Sequence, residues 1–174
     1  MRNRWIISDT HFGHLGVCRF THRDTGEKIR PWTDPDEMDE DMVRMWNEVV
    51  QPGDRVYHLG DVVINRRCLP ILNRLNGDKV LIKGNHDIFK LKEYLPYFDD
   101  IRAYNVLGKH QIIMSHIPIH PDSKGRFKGN IHGHLHSNVL DDPWYANVSV
   151  EQIGFKPVLL DDIVKKLVDN NNQL

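Results

Sequence analysis

The chain has 174 residues, 40% of them hydrophobic and 27% charged, the make-up expected of one globular domain over residues 1–174. Its 23 Lys+Arg against 24 Asp+Glu give a formal net charge of −1, which argues against a polybasic nucleic-acid surface and against an acidic tail. No apolar run approaches the roughly 18 residues of a membrane span, and residues 1–9 turn polar too soon for a secretory leader. Two cysteines, Cys18 and Cys68, are too few for a disulfide framework, so a cytoplasmic location is expected.

In chain order, residues 5–8 are expected as a buried strand. Thr33-Asp34-Pro35 carries the marks of a helix start, a capping oxygen followed by proline in the first turn. Met38, Met42, Met45, Trp46, Val49 and Val50 then recur at helical spacing, predicting an amphipathic helix over 35–50 whose stripe is core. Strands follow at 55–59 and 79–83. A short helix through Cys68, Ile71, Leu72 and Leu75 lies between them, and another helical stretch lies near 88–95. Residues 101–106, 110–115, 129–133, 144–150 and 156–160 have strand character, with a loop at 117–128 and a closing helix at 161–168. Strands alternating with helices, then a run of strands, predict an α/β fold. Its architecture is expected to be a four-layer-like α/β/β/α sandwich of two mixed sheets flanked by helices.

Eleven histidines are present, crowded toward the stretch from His110 to His136. More telling is that five apolar runs each end in a small polar cluster: Asp9-Thr10-His11, Gly60-Asp61, Gly84-Asn85-His86-Asp87, Ser115-His116 and Gly133-His134-Leu135-His136. Ligands of open α/β sheets collect at the carboxyl ends of strands, so aligned strands would bring all five clusters to one rim. Glycine precedes the polar group at three of them, where the missing Cβ lets backbone crowd a site. Imidazole with carboxylate and no thiolate suits borderline divalent metals. Seven protein ligands are too many for one tetrahedral ion and fit two ions with open positions. Two such ions and two carboxylates leave a positive site that attracts phosphate, and a pair ~3.5–4 Å apart generates hydroxide near neutral pH and clamps an in-line displacement at phosphorus.

In order and spacing these blocks resemble the signature of the calcineurin-like metallophosphoesterases, and the stretch Ser8-Asp9-Thr10-His11-Phe12-Gly13-His14 is similar to the opening of small bacterial and phage members. One departure is Ser115 where many relatives have glycine before the histidine. The resemblance implies Asp9, His11 and His136 as ligands of one metal, Asn85, His116 and His134 as ligands of the other, and Asp61 as the bridge. It implies His86 as phosphate contact and general acid, a role typically worth 10²–10⁴-fold, with Asp87 orienting it; Asp87 as a helix N-cap is the alternative. The ions would be divalent transition metals, Mn²⁺ first, with Fe, Zn, Ni or Co as alternatives.

The substrate implied is a phosphoester, a nucleotide or cyclic nucleotide among the candidates. A diester is preferred because no segment for an enclosing cap is evident; a phosphomonoesterase or nucleotide pyrophosphohydrolase is the alternative. A catalytically silent scaffold should have lost His86 or several ligands, and none is missing. His58 and His132 are expected in the core, His22 and His110 at the surface, and His14 either steadying a ligand or in a loop. The 117–128 loop should rim the site, offering Lys124, Arg126 and Lys128 to a substrate or to solvent. Arg66 and Arg67 stand as similar candidates, with Arg23, Lys28 and Arg30 behind them. Phe12, Trp32, Phe127 and Trp144 offer faces on which a nucleobase could stack, with core or rim packing the favoured reading.

Overall fold

A computed structural model describes residues 2–171. Its elements are β1 (Arg4–Ile7), α1 (Pro35–Val49), β2 (Arg55–His58), β3 (Asp78–Ile82), α2 (Leu91–Tyr94), β4 (Asp100–Arg102), β5 (Tyr104–Leu107), β6 (Ile112–Ser115), β7 (Gly129–His132), β8 (Tyr145–Asn147), α3 (Val150–Ile153), β9 (Val158–Leu159) and α4 (Leu160–Asn171). Two mixed sheets, ordered β4-β3-β2-β1-β9 and β5-β6-β7-β8, are flanked by helices, the expected α/β architecture. In the first, β1 to β4 are parallel and β9 is antiparallel. In the second, β6, β7 and β8 are parallel and β5 is antiparallel.

Side-chain alternation explains the layering. Ile6, Val80 and Ile82 face inward onto Ile112, Met114 and Ile131 of the second sheet, and Val164 and Leu167 of α4 join this cluster. Their neighbours Ile7, Val56 and Leu81 face the other way, onto Met38, Met42, Val43 and Trp46 of α1. That helix begins as predicted: the Asp34 side chain accepts the amides of Asp36 (2.7 Å) and Glu37 (3.2 Å), and Pro35 fills the first turn.

Departures from the expected elements have local causes. Residues 66–74 form a 3-10 segment rather than an α-helix because Pro70 sits inside it without an N–H. The expected strand at 101–106 divides at Ala103, β4 closing one sheet and β5 opening the other. The strand expected over 144–150 stops at Asn147, and the chain coils into α3, ended by left-handed Gly154 at φ 73°. The helix near 88–95 shrinks to α2, because the Asp87 side chain that would cap a longer helix is turned elsewhere.

Parallel pairing continues past the ends of β1 and β2, and this sets the rim. The amides of Asp9, His11 and Phe12 donate to the carbonyls of Gly60 (3.0 Å), Asp61 (3.0 Å) and Val62 (2.9 Å). Buried His58 locks the same two loops: its Nδ1 accepts the Gly60 amide (3.1 Å), its Nε2 faces Thr10 Oγ1 (3.1 Å), and that hydroxyl donates to the Val62 carbonyl (2.9 Å). Burial pushes the His58 pKa down to about 3 from an ordinary 6.5. Between those values the unfolded chain binds a proton that the folded chain refuses, so stability falls as pH drops below about 6.5, by up to about 1.4 kcal/mol per unit. His58→Gln is expected to remove that increment from urea-unfolding stability followed from pH 6.5 to 5. An unchanged slope would mean that His58 is charged inside the fold.

Candidate metal centre

The five strand-end clusters meet at one rim, and all seven residues expected there come together. Asp9, His11 and His136 form one group with potential ligand atoms within 4.8 Å of one another, and Asp61, His116 and His134 form a second. Asp61 stands between them, its Oδ2 3.6 Å from His11 Nε2 and 3.4 Å from His116 Nε2. Asn85 joins the second group, its Oδ1 2.8 Å from His116 Nε2.

The backbone is strained where these side chains leave it. Asp9 (φ 60°), His11 (51°), Asp61 (56°), His134 (68°) and His136 (51°) all adopt the left-handed region, which non-glycine residues rarely occupy and which is retained where function demands it. Glycine makes room beside them. A Cβ on Gly84 would lie 2.2 Å from Asp61 Oδ1, and one on Gly133 would lie 2.3 Å from Asp9 Oδ2.

Hydrogen bonding orients each group and leaves particular atoms bare. Asp9 Oδ2 accepts the His134 amide (2.9 Å) and the Ser149 hydroxyl (3.0 Å). Its Oδ1 is buried without a partner, 4.0 Å from the Nε2 atoms of both His11 and His136. Both ring nitrogens of His11 are likewise buried and unpartnered. His116 Nδ1 meets the Leu59 carbonyl at 2.7 Å and so carries its proton there, which turns a bare Nε2 toward the oxygens of Asn85 and Asp61. Acceptors that converge without a donor need a cation between them. The donor set therefore fits a pair of divalent metal ions.

Without ions, protons do part of that work. Burial works against charging His116, yet contact with Asp61 and the nearby Asp9 carboxylate raise its pKa. Burial likewise opposes charge on Asp61, but His116 and the amide of His86 hold its carboxyl down to about 2. His11 has too little compensation, and burial drives its pKa well down.

Two residues of this network were not singled out as ligand supports by sequence reasoning. Glu151 at the start of α3 accepts His136 Nδ1 (3.0 Å), which frees Nε2 for the first group. Arg30, fully buried, pairs with Glu151 (2.7 Å) and donates to the carbonyls of Asp9 (2.7 Å) and Thr10 (2.9 Å). The guanidinium thus ties the carboxylate to the backbone that carries the ligands, rather than reaching toward a substrate. Glu151→Gln is expected to weaken metal binding ten- to hundredfold, the usual penalty for losing a carboxylate behind a ligating histidine. Calorimetric titration with Mn²⁺ checks this, and undiminished affinity would show that the pair only packs.

Other residues land differently from expectation. The Asp87 carboxylate does not orient the His86 ring: it is buried and accepts the amides of Asp61 (2.9 Å), Val62 (3.0 Å) and Gly84 (2.8 Å), so it shapes the loop that carries Asp61. His86 is exposed beside the first group, its ring 5.5 Å from that of His11, and belongs to neither ligand set. Lys124 is committed to Asp142 (2.8 Å) and lies over the rings of Trp144 and Tyr145. Within the 117–128 loop, Ile119 is tied to β7 and β8, its amide donating to Asn130 Oδ1 (3.0 Å) and its carbonyl accepting the Tyr145 hydroxyl (2.8 Å), while most of the loop is exposed. Arg66 pairs with Glu93 (2.7 Å) over the Phe89 ring. Phe12, Trp32 and Trp144 are buried packing residues.

A two-sheet α/β sandwich carrying paired His/Asp groups at one rim is suited to metal-dependent hydrolysis. The sequence model of the calcineurin-like phosphoesterases matches residues 3–170, and the chain belongs to that family. It is 35% identical over 179 residues to the uncharacterized protein MJ1445 of Methanocaldococcus jannaschii, covering 95% of this chain and 91% of that protein. It is 26% identical over 167 residues to the Gene 66 protein of Mycobacterium phage L5, covering 93% and 73% respectively. Among solved structures, a protein of unknown function from Aquifex aeolicus, AQ665, superposes with a TM-score of 0.69 at 25% identity, covering 95% of this chain and 99% of that one. Among the described residues no helix is long and apolar enough to cross a membrane.

Proposed function

We propose that this chain, acting as one domain over residues 1–174, hydrolyses phosphodiesters in preference to monoesters with two divalent transition-metal ions, Mn²⁺ first. The observation that carries this reading is the pair of ligand groups on either side of Asp61 Oδ2, the first of them with buried polar atoms, Asp9 Oδ1 and both ring nitrogens of His11, that have no hydrogen-bond partner. Asp9, His11 and His136 would hold one ion, and Asn85, His116 and His134 the other. Ions held there supply Lewis-acid contact to the phosphate and a hydroxide near neutral pH.

The chain's own residues supply the rest. Asp61 bears the negative charge between the two positions. His86, free of both groups and open to solvent, contacts the phosphate and donates a proton to the departing oxygen. Asp87 holds the loop that presents Asp61. Exposed Asn85 and His86 leave the rim open on one side, which suits a phosphorus with two substituents. The free thiols of Cys18 and Cys68 support a reducing, cytoplasmic setting as part of the same reading.

Crossing a panel of Mn²⁺, Zn²⁺, Ni²⁺, Co²⁺ and Fe²⁺ with bis-p-nitrophenyl phosphate and p-nitrophenyl phosphate tests it. Metal-dependent turnover is expected, with a higher kcat/KM for the diester. A monoester preference would overturn the diester assignment, and no hydrolysis with any metal would overturn the enzymatic one.

A further inference from the structure

A cavity of about 410 Å³ is lined by Thr21, His22, Arg23 and Asp24 on one wall and by Ser137, Asn138 and Val139, which follow His136 in the chain, on the other. Both walls grow out of the candidate centre. Lining Ile29 precedes Arg30, whose guanidinium holds the Asp9 carbonyl. Thr21 follows Phe20, whose ring packs edge-on against His14, and His14 in turn lies 5.5 Å from His11. The first wall is a closed hairpin: Ile29 donates to the Phe20 carbonyl (2.9 Å), and His22 donates to that of Glu27 (2.8 Å).

The chemistry of this lining is unused. Among the described residues, no hydrogen bond or ion pair within the chain engages the side chains of Thr21, His22, Arg23, Asp24, Ser137 or Asn138. A guanidinium is matched to phosphate, and an aspartate with hydroxyl and amide neighbours is matched to hydroxyl groups. The volume falls in the range of sites for small organic ligands. We propose that this cavity is a substrate subsite, taking the second substituent of a phosphodiester when that substituent carries hydroxyls and a further phosphate. Arg23 meets the outer phosphate, and Asp24 with Asn138 meets the hydroxyls. The assignment rests on the phosphodiesterase reading and narrows it to substrates such as phosphorylated nucleosides.

The test compares uridine 5′-(p-nitrophenyl phosphate) with the same compound bearing a 3′-phosphate, which keeps the 2′-hydroxyl, on the Mn²⁺-loaded protein. The 3′-phosphate is expected to raise kcat/KM at least about tenfold, as one charge-assisted contact would. In Arg23→Gln that ratio should fall to about one. Arg23 is exposed, and among the described residues its side chain has no hydrogen-bond or ion-pair partner, so the variant keeps its fold, which a thermal melt verifies. A ratio near one in the parent protein, or one that survives the substitution, overturns the subsite. If bis-p-nitrophenyl phosphate and both nucleotides go uncleaved, the phosphodiesterase reading has failed separately. The subsite is then decided by calorimetric binding of uridine 3′,5′-bisphosphate, expected to weaken at least about tenfold in Arg23→Gln and overturned by equal affinity.

Discussion

Asp61→Asn is expected to lower kcat by at least about a thousandfold and to reduce bound metal from two ions per chain to one or none. The substitution tests charge with little disturbance of shape. Asn tolerates the left-handed backbone found here at φ 56°, and its carbonyl oxygen can take the place of Oδ1, which accepts the His86 amide at 2.8 Å. What disappears is the negative charge 3.6 Å from His11 Nε2 and 3.4 Å from His116 Nε2. Two divalent ions against Asp9 and Asp61 leave a site near +2, and without Asp61 it rises toward +3, with the missing charge lying between the cations. Repulsion that was screened at close range is then bare. Elemental analysis of the purified variant together with single-turnover rates checks both effects. Two ions and near-parental turnover would remove Asp61 from the bridging position.

The convergence of Asp9, His11, Asp61, Asn85, His116, His134 and His136 was legible because each follows an apolar run, and the carboxyl ends of parallel strands face the same way. The helix over 35–49 was legible because its cap and stripe are both local signals. Less visible was everything that depends on a partner distant in the chain. Glu151 looks like an acidic residue at a helix start, and only its burial against Arg30, 121 positions away, marks it as part of the centre. Asp87 has the pattern of an N-cap, but the distant amides of Asp61 and Val62, together with that of Gly84 just before it, compete for its oxygens and win. The division of 101–106 between two sheets follows from how the sheets stack, which no property of those residues encodes. Lys124 illustrates the opposite error: a basic loop residue suggests a phosphate partner until Asp142 and two aromatic faces are seen to satisfy it.

His86→Ala should separate acid catalysis from metal binding. The side chain belongs to neither ligand group, and the hydrogen bond that His86 gives Asp61 comes from its backbone amide, which alanine retains. Metal content and affinity are therefore expected to match the parent protein. The rate should fall by about 10²–10⁴-fold on an ester whose leaving group is an alkoxide, the range of a positioned general acid. On a p-nitrophenyl ester the loss should be much smaller, because p-nitrophenolate is a weak base that departs without a proton. A residue that merely packs, or that only grips the phosphate, would slow both esters alike. Rates on matched alkyl and p-nitrophenyl diesters with the Mn²⁺-loaded variant decide the matter: equal losses would assign His86 to phosphate contact alone, and loss of metal would return it to the ligand set.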